Sequence, residues 1–360
     1  MNSVSRESIV KCVLTTLLLA CSGWSQSANV SVFASGFNNP RGLAFGPDGN
    51  LYVAEGGAGG TLSSAGVCDQ VVPPVGPYTG DFTARISKIT ADGTVTTFAS
   101  GLPSSQTSVN LGNLISGVAD VAFLGPTMYA ILAGAGCSHG LVGTNNGVLR
   151  VHEDGTTSMI ANLSAFQKSH PVANPEPDDF EPDGTWYSMI AVHGVLYAIE
   201  PNHGELDAIS IGGQVRRVAD ISNFQGHIVP TALAFDGHNF FVGNLDTFPI
   251  KDGSSKILKI TPGGHVTTVY IGFSDILGLA FDAKGRLYVL ENTTGNPNPT
   301  PGTGKILRVD GKNQYIEIAS GLSLPTGMTF GPDGNLYVSN LGFGPPPVGL
   351  GQVLKVSVPK

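Results

Sequence analysis

Two sets of side chains in this 360-residue sequence could do chemistry. The first is a polar residue that recurs at the end of a short apolar run: Glu55, Glu200, Asn244, Glu291 and Asn340, with Leu132 at the sixth such place. Carboxylates and carboxamides are hard oxygen donors of the kind Ca²⁺ takes. The second set is His139, His203 and His227. Three imidazoles around one point can hold Zn²⁺ and leave a position open for water or substrate. Glu205, close to His203, could then act as a base. No HExxH spacing is present, so only the fold could bring the three histidines together. Blander roles compete with both sets. The strand-end side chains could solvate a channel or cap strand ends, and each histidine could be a surface or hydrogen-bonding residue. His152, His193, His238 and His265 fall on turns or outer strands and read as structural.

Three further features invite chemistry. Residues 136–140 spell G-x-S-x-G around Ser138. A nucleophile elbow needs a strand, a sharp turn and a helix in an α/β sheet. This segment is a Gly-rich loop in a chain of β character, so Ser138 is rejected as an esterase nucleophile. Glu176, Asp178, Asp179, Glu181 and Asp183 form an acidic, proline-spaced loop that could bind a cation or simply be solvated. Trp186 and Tyr187 follow, and could stack on a ligand or pack in a core.

The elements that must position these residues are repeats. Pro40-Arg-Gly-Leu-Ala-Phe-Gly-Pro-Asp-Gly-Asn-Leu-Tyr-Val recurs as Pro325-Thr-Gly-Met-Thr-Phe-Gly-Pro-Asp-Gly-Asn-Leu-Tyr-Val, with weaker copies between. The anchors are Phe45, Phe123, Ile190, Phe235, Phe281 and Phe330, the last four about 46 residues apart. Each unit reads as two apolar strands joined by an Asp-Gly-type turn, which supplies the positive φ of a tight hairpin. An alternating third strand such as Lys256-Ile-Leu-Lys-Ile follows, then a fourth. The sixth unit lacks its fourth strand. Val30-Ser-Val-Phe-Ala-Ser-Gly-Phe37 matches the fourth strand that starts at Val95 and has no unit of its own. Pairing the two ends closes a ring. The expected fold is all-β, a six-bladed β-propeller of four-stranded antiparallel blades, with the N-terminal strand completing the last blade. The polar strand ends then ring the mouth of the central channel. The long connections 56–84, 134–146, 162–184 and 295–304 belong to the same rim, where function is expected.

Composition agrees. The chain holds 49 Gly and 24 Pro with only 13% charged residues, against a helical bundle and for short strands and turns. A net charge of −8 argues against a nucleic-acid partner. Residues 1–27 read as an export signal: Arg6 and Lys11, an apolar run from Val13 to Ala20, and Ser25-Gln-Ser27 before Ala28. The run is too short to span a bilayer, and no other stretch is a transmembrane candidate. A lipid anchor at Cys21 is the alternative, since Leu18-Leu-Ala-Cys21 resembles a lipobox. The expected location is secreted or periplasmic, with residues 28–360 as one propeller domain. Cys68 and Cys137 are then expected to form a disulfide in an oxidising compartment.

The blade motif resembles NHL-type and TolB-like six-bladed propellers. The whole mature chain is similar to the secreted ScyD/ScyE family through residues 136–140, Asp178-Asp-Phe-Glu-Pro-Asp-Gly-Thr-Trp-Tyr187, Glu200-Pro-Asn-His-Gly-Glu-Leu206 and Gly226-His-Ile-Val-Pro230. That resemblance implies an exported propeller and supplies no reaction. The strand-end ring also resembles the calcium ring of paraoxonase-like lactonases, and the histidines resemble the zinc set of peptide-amidating lyases. Three functions follow as expectations: recognition of a small molecule, peptide or glycan at the channel mouth; a Ca- or Zn-dependent hydrolase, lactonase or lyase at the same face; or a scaffold for a protein partner.

Overall fold

The computed structural model describes residues 26–175, 180–343 and 349–359. The export signal and Cys21 anchor lie, up to residue 25, outside the described residues, as do Glu176, Asp178 and Asp179. The described chain is nearly all β. Its inner strands are Pro40–Phe45, Val118–Leu124, Ser188–Val192, Pro230–Phe235, Ile276–Phe281 and Gly327–Phe330. Each pairs antiparallel with a second strand: Leu51–Glu55, Thr127–Leu132, Val195–Glu200, Phe240–Asn244, Leu287–Glu291 and Leu336–Asn340. Third and outer strands follow in the same up-and-down order, which makes six blades. Val30–Phe37 pairs with Gly351–Val356 and becomes the outer strand of the last blade, so the N-terminal strand closes the ring.

The second strands are buried on both faces. The reason is the packing between blades. Six apolar clusters each join two neighbouring blades, from Tyr52 and Val121 between the first pair to Phe37, Leu43 and Tyr337 across the closure. In four of the six blades the anchor is a phenylalanine that meets an aromatic ring of the preceding blade. Phe45 meets Tyr337 at 5.0 Å, Phe123 meets Tyr52 at 5.3 Å, Phe281 meets Phe241 at 5.2 Å and Phe330 meets Tyr288 at 5.1 Å.

Two short helices, Leu163–Ser169 and Ile221–Gln225, were not expected from the repeat. Both begin where an outer strand ends, at Asn162 and Asp220, whose side chains cap the N–H groups of Ala165 and Asn223. The first blade also gains a fifth short strand, Ile115–Ser116. Cys68 and Cys137 are bonded, with their Cα atoms 6.3 Å apart, and tie the long loops of the first two blades together. No helix among the described residues is long and apolar enough to cross a membrane.

Two stability results are expected. Phe37 is fully buried on the closing strand, so Phe37→Ala should lower stability by about 3–5 kcal/mol in urea unfolding. Replacing Cys68 and Cys137 with serine removes a cross-link over a separation of 69 residues. Its expected cost is about 3–5 kcal/mol in the same measurement.

Candidate functional site

The polar residues at the second-strand ends are all buried, and all are used as latches. Glu55 accepts the Asn38 N–H at 2.6 Å, Glu200 that of Thr185 at 2.8 Å, Glu291 that of Ser274 at 2.7 Å and Asn340 that of Ser323 at 2.9 Å. In each case the donor lies on the segment that carries the chain into the same blade's inner strand. Asn244 does the same with the polarity reversed. Its Nδ2 donates to the Ile228 carbonyl at 2.8 Å while its Oδ1 accepts the Lys256 N–H at 2.7 Å. That incoming segment has backbone groups with no sheet partner, and a carboxylate or carboxamide at the strand end satisfies them. Third-strand cations complete two latches: Arg85 stands 2.8 Å from Glu55, and Lys305 3.4 Å from Glu291. Among the described residues no group of three or more His, Cys, Asp or Glu is arranged to hold a metal ion.

One segment, Glu181 to Gly184, contacts two of the three histidines, His139 and His203. His139 is fully buried; its Nδ1 shares a hydrogen bond of 2.9 Å with Ser105, and its Nε2 lies 3.3 Å from the Gly184 carbonyl and 3.6 Å from Glu181. Burial, against the pull of Asp183, holds its imidazole down at about 4. His203 reaches the Glu181 carbonyl at 3.0 Å, and its N–H is held by Glu200. Glu205 is buried and engaged by Gln167 at 3.1 Å and by Arg217. Burial raises its carboxyl despite that arginine. Ser138 is buried too. Its N–H and hydroxyl both donate to Asp183, at 2.7 and 2.8 Å, so G-x-S-x-G here is a packed turn. Gly136 permits that turn, because its φ is +116° and a Cβ would meet the Asp183 side chain.

Above the channel, at the end where the second strands finish, lies a cavity of about 540 Å³. Its size is that of a small-molecule site. The residue four before five of the six repeat anchors lines it: Arg41, Ala119, Trp186, Thr231 and Leu277. Tyr187, His227, Glu181 and Tyr78 add polar edges, and Leu114, Leu245 and Phe248 add apolar wall. Of the three candidate histidines, His227 lines this cavity and the other two do not. Glu181 is oriented by the Tyr78 hydroxyl at 2.7 Å. Below it, the inner strands enclose the channel, about 360 Å³, where Asp120 accepts the N–H groups of Val121 and Met189.

Arg41 was missed by motif reasoning, although a signal for it was present. The two nearly identical motif copies differ at this position, with Arg41 where the last blade has Thr326. Thr326 donates to the Pro40 carbonyl of the next blade, and Thr231 donates in the same way to the Ile276 carbonyl. Arg41 instead donates to the Ile115 carbonyl of its own blade's fifth strand and adds a guanidinium to the cavity.

No family model and no curated protein matches the chain. Solved structures do. The chain is similar to a gluconolactonase from Xanthomonas campestris, with a TM-score of 0.54, 12% identity, and 92% of this chain and 89% of that one covered. It is similar to a glucose dehydrogenase at a TM-score of 0.54 and 15% identity, covering 92% and 99%. A luciferin-regenerating enzyme gives 0.53 and 11%, covering 92% and 95%. These neighbours are six-bladed propellers, and at such identities the likeness shows the fold alone.

Burial raises the carboxyls of Asp120, Glu200 and Asp275 to about 7. Each holds its proton more tightly folded than unfolded. Their contribution to stability is therefore full below the ordinary carboxylate range and lost as pH rises through about 7. His139 runs the other way, and its contribution is lost as pH falls from its ordinary 6.5 toward about 4. Three groups outweigh one, so the urea midpoint at about pH 5.5 should exceed that at about pH 8. Asp120→Asn should narrow the gap.

Proposed function

We propose that this chain is an exported recognition module that binds a small molecule in the cavity above the channel and does not turn it over. The observation that carries the reading is the cavity itself: concave, largely apolar, and edged by a few polar groups on the segments that lead into the strands. The latching of Glu55, Glu200, Asn244, Glu291 and Asn340 supports binding over metal chemistry, since their oxygens already serve backbone N–H groups or, for Asn244 and Asn340, a share of the same work. The leader expected at residues 1–27 and the Cys68–Cys137 bond support export to a secreted or periplasmic location. The similarity to the ScyD/ScyE family belongs to this reading as well. A Ca- or Zn-dependent lactonase or lyase at the same face is the alternative, and the likeness to a gluconolactonase is what favours it.

The test uses the mature protein, purified without chelator, and the neutral dye Nile red. One dye should bind per chain with enhanced fluorescence, and Leu114→Trp, which narrows the cavity, should weaken it at least about tenfold. Lactones should not be hydrolysed above background with added Ca²⁺ or Zn²⁺. Metal-dependent turnover that disappears in Glu55→Gln or His203→Ala would install the enzyme in place of the binding module.

A further inference from the structure

The ligand's chemistry follows from one side chain, and the inference rests on the cavity being a binding site. Arg41 is 7% exposed and lines that cavity. A guanidinium does not lose its charge at any ordinary pH. Buried charges are normally paired, because removing an ion from water without a counter-ion is costly. Among the described residues no carboxylate forms an ion pair with Arg41. Its hydrogen bond runs to the Ile115 carbonyl, and its Cζ stands 6.0 Å from the centre of the Tyr187 ring. A carbonyl and a ring face soften the charge without neutralising it.

Among the described residues, the acids nearest Arg41 have other partners. Glu181 is held by the Tyr78 hydroxyl and faces His139. Asp120 is turned to the Met189 and Val121 N–H groups in the channel. Among the described residues the Arg41 guanidinium therefore has no carboxylate partner in a chamber whose polar edge is Glu181, Tyr78, Tyr187 and His227, and it has donors left over after the Ile115 bond.

We infer that the cavity takes an apolar monocarboxylate, its carboxylate on the Arg41 guanidinium and its hydrocarbon or aryl body against Leu114, Leu245 and Phe248. The planar fork suits a planar two-oxygen anion, which it meets through two parallel N–H···O bonds. Leu114, Leu245 and Phe248 offer no partner to hydroxyl groups on the part of the ligand they cover.

The test pairs acids with their primary amides, which keep shape and lose charge. Octanoate, 4-phenylbutyrate and 1-naphthoate, each beside its amide, are titrated into the mature protein by calorimetry near pH 7. At least one acid should bind about tenfold or more tighter than its amide. Arg41→Gln should reduce that gap to less than about twofold. Arg41→Lys keeps the charge without the fork and should retain part of it. The wild-type comparison alone decides the matter if Arg41→Gln does not fold. Acids and amides that bind equally would overturn the anion inference and leave the binding module standing. Absence of binding by every acid and amide, together with no Nile red site, would overturn both.

Discussion

A blade whose second strand is apolar on both faces cannot be covered by its own sheet. It needs a neighbour on each side, and so does that neighbour. The only arrangement that satisfies every blade is a closed ring. This constraint explains why the first strand in the chain belongs to the last blade. Phe37 and Ala34, on the closing strand, fill the same cluster as Leu43 and Val53 of the first blade. Closure therefore happens in the core as well as in the hydrogen-bond ladder. It also fixes the distance between strands across the mouth, so that residues from five blades face one chamber without any of them touching in sequence.

Closure creates a second problem, and its solution shapes the site. At the end of each blade the chain must return to the channel to start the next inner strand. That return path has free backbone N–H groups in a buried place. The side chain at the end of the second strand takes them up, which is why a carboxylate or amide recurs there. Carboxylates in such positions are held by geometry against their desolvation, and burial pushes Glu200 and Glu291 upward. The same residue types in the same ring would suit a cation if their oxygens converged. Here each turns to its own blade's incoming segment, and the mouth takes its character from what lies between the latches.

The fold was legible because every blade repeats one packing problem, and a repeated problem leaves a repeated solution. Phe45 and Tyr337, or Phe330 and Tyr288, are visible in sequence as anchor and strand motifs before their contact is known. The disulfide was legible for a different reason: once a leader is assumed, two cysteines remain. The site was legible only in outline. Strand ends could be placed on the mouth, but whether an oxygen points inward or toward a backbone N–H depends on the path of loops with no periodicity. The segment from Glu181 to Gly184 gathers His139 and His203, yet nothing in its spacing shows that. Arg41 was hidden by its surroundings. It sits inside the strongest motif in the chain, where the repetition masks the one position at which a charged residue replaces a neutral one.

That break has an electrostatic consequence for the whole channel. Asp120 and Arg41 lie on neighbouring inner strands, the acid in the channel and the base above it, with Tyr187 near both. The Tyr187 hydroxyl donates to the Thr326 carbonyl at 3.0 Å and interacts with both charges, with Arg41 through its side chain and with Asp120 through space. The narrow channel desolvates Asp120 and favours its neutral form up to about pH 7. The channel acid is thus turned to the backbone of its own and the next blade through Val121 and Met189 rather than upward, and the charged groups that line the chamber itself are Arg41 and Glu181, the second engaged by Tyr78 and facing His139.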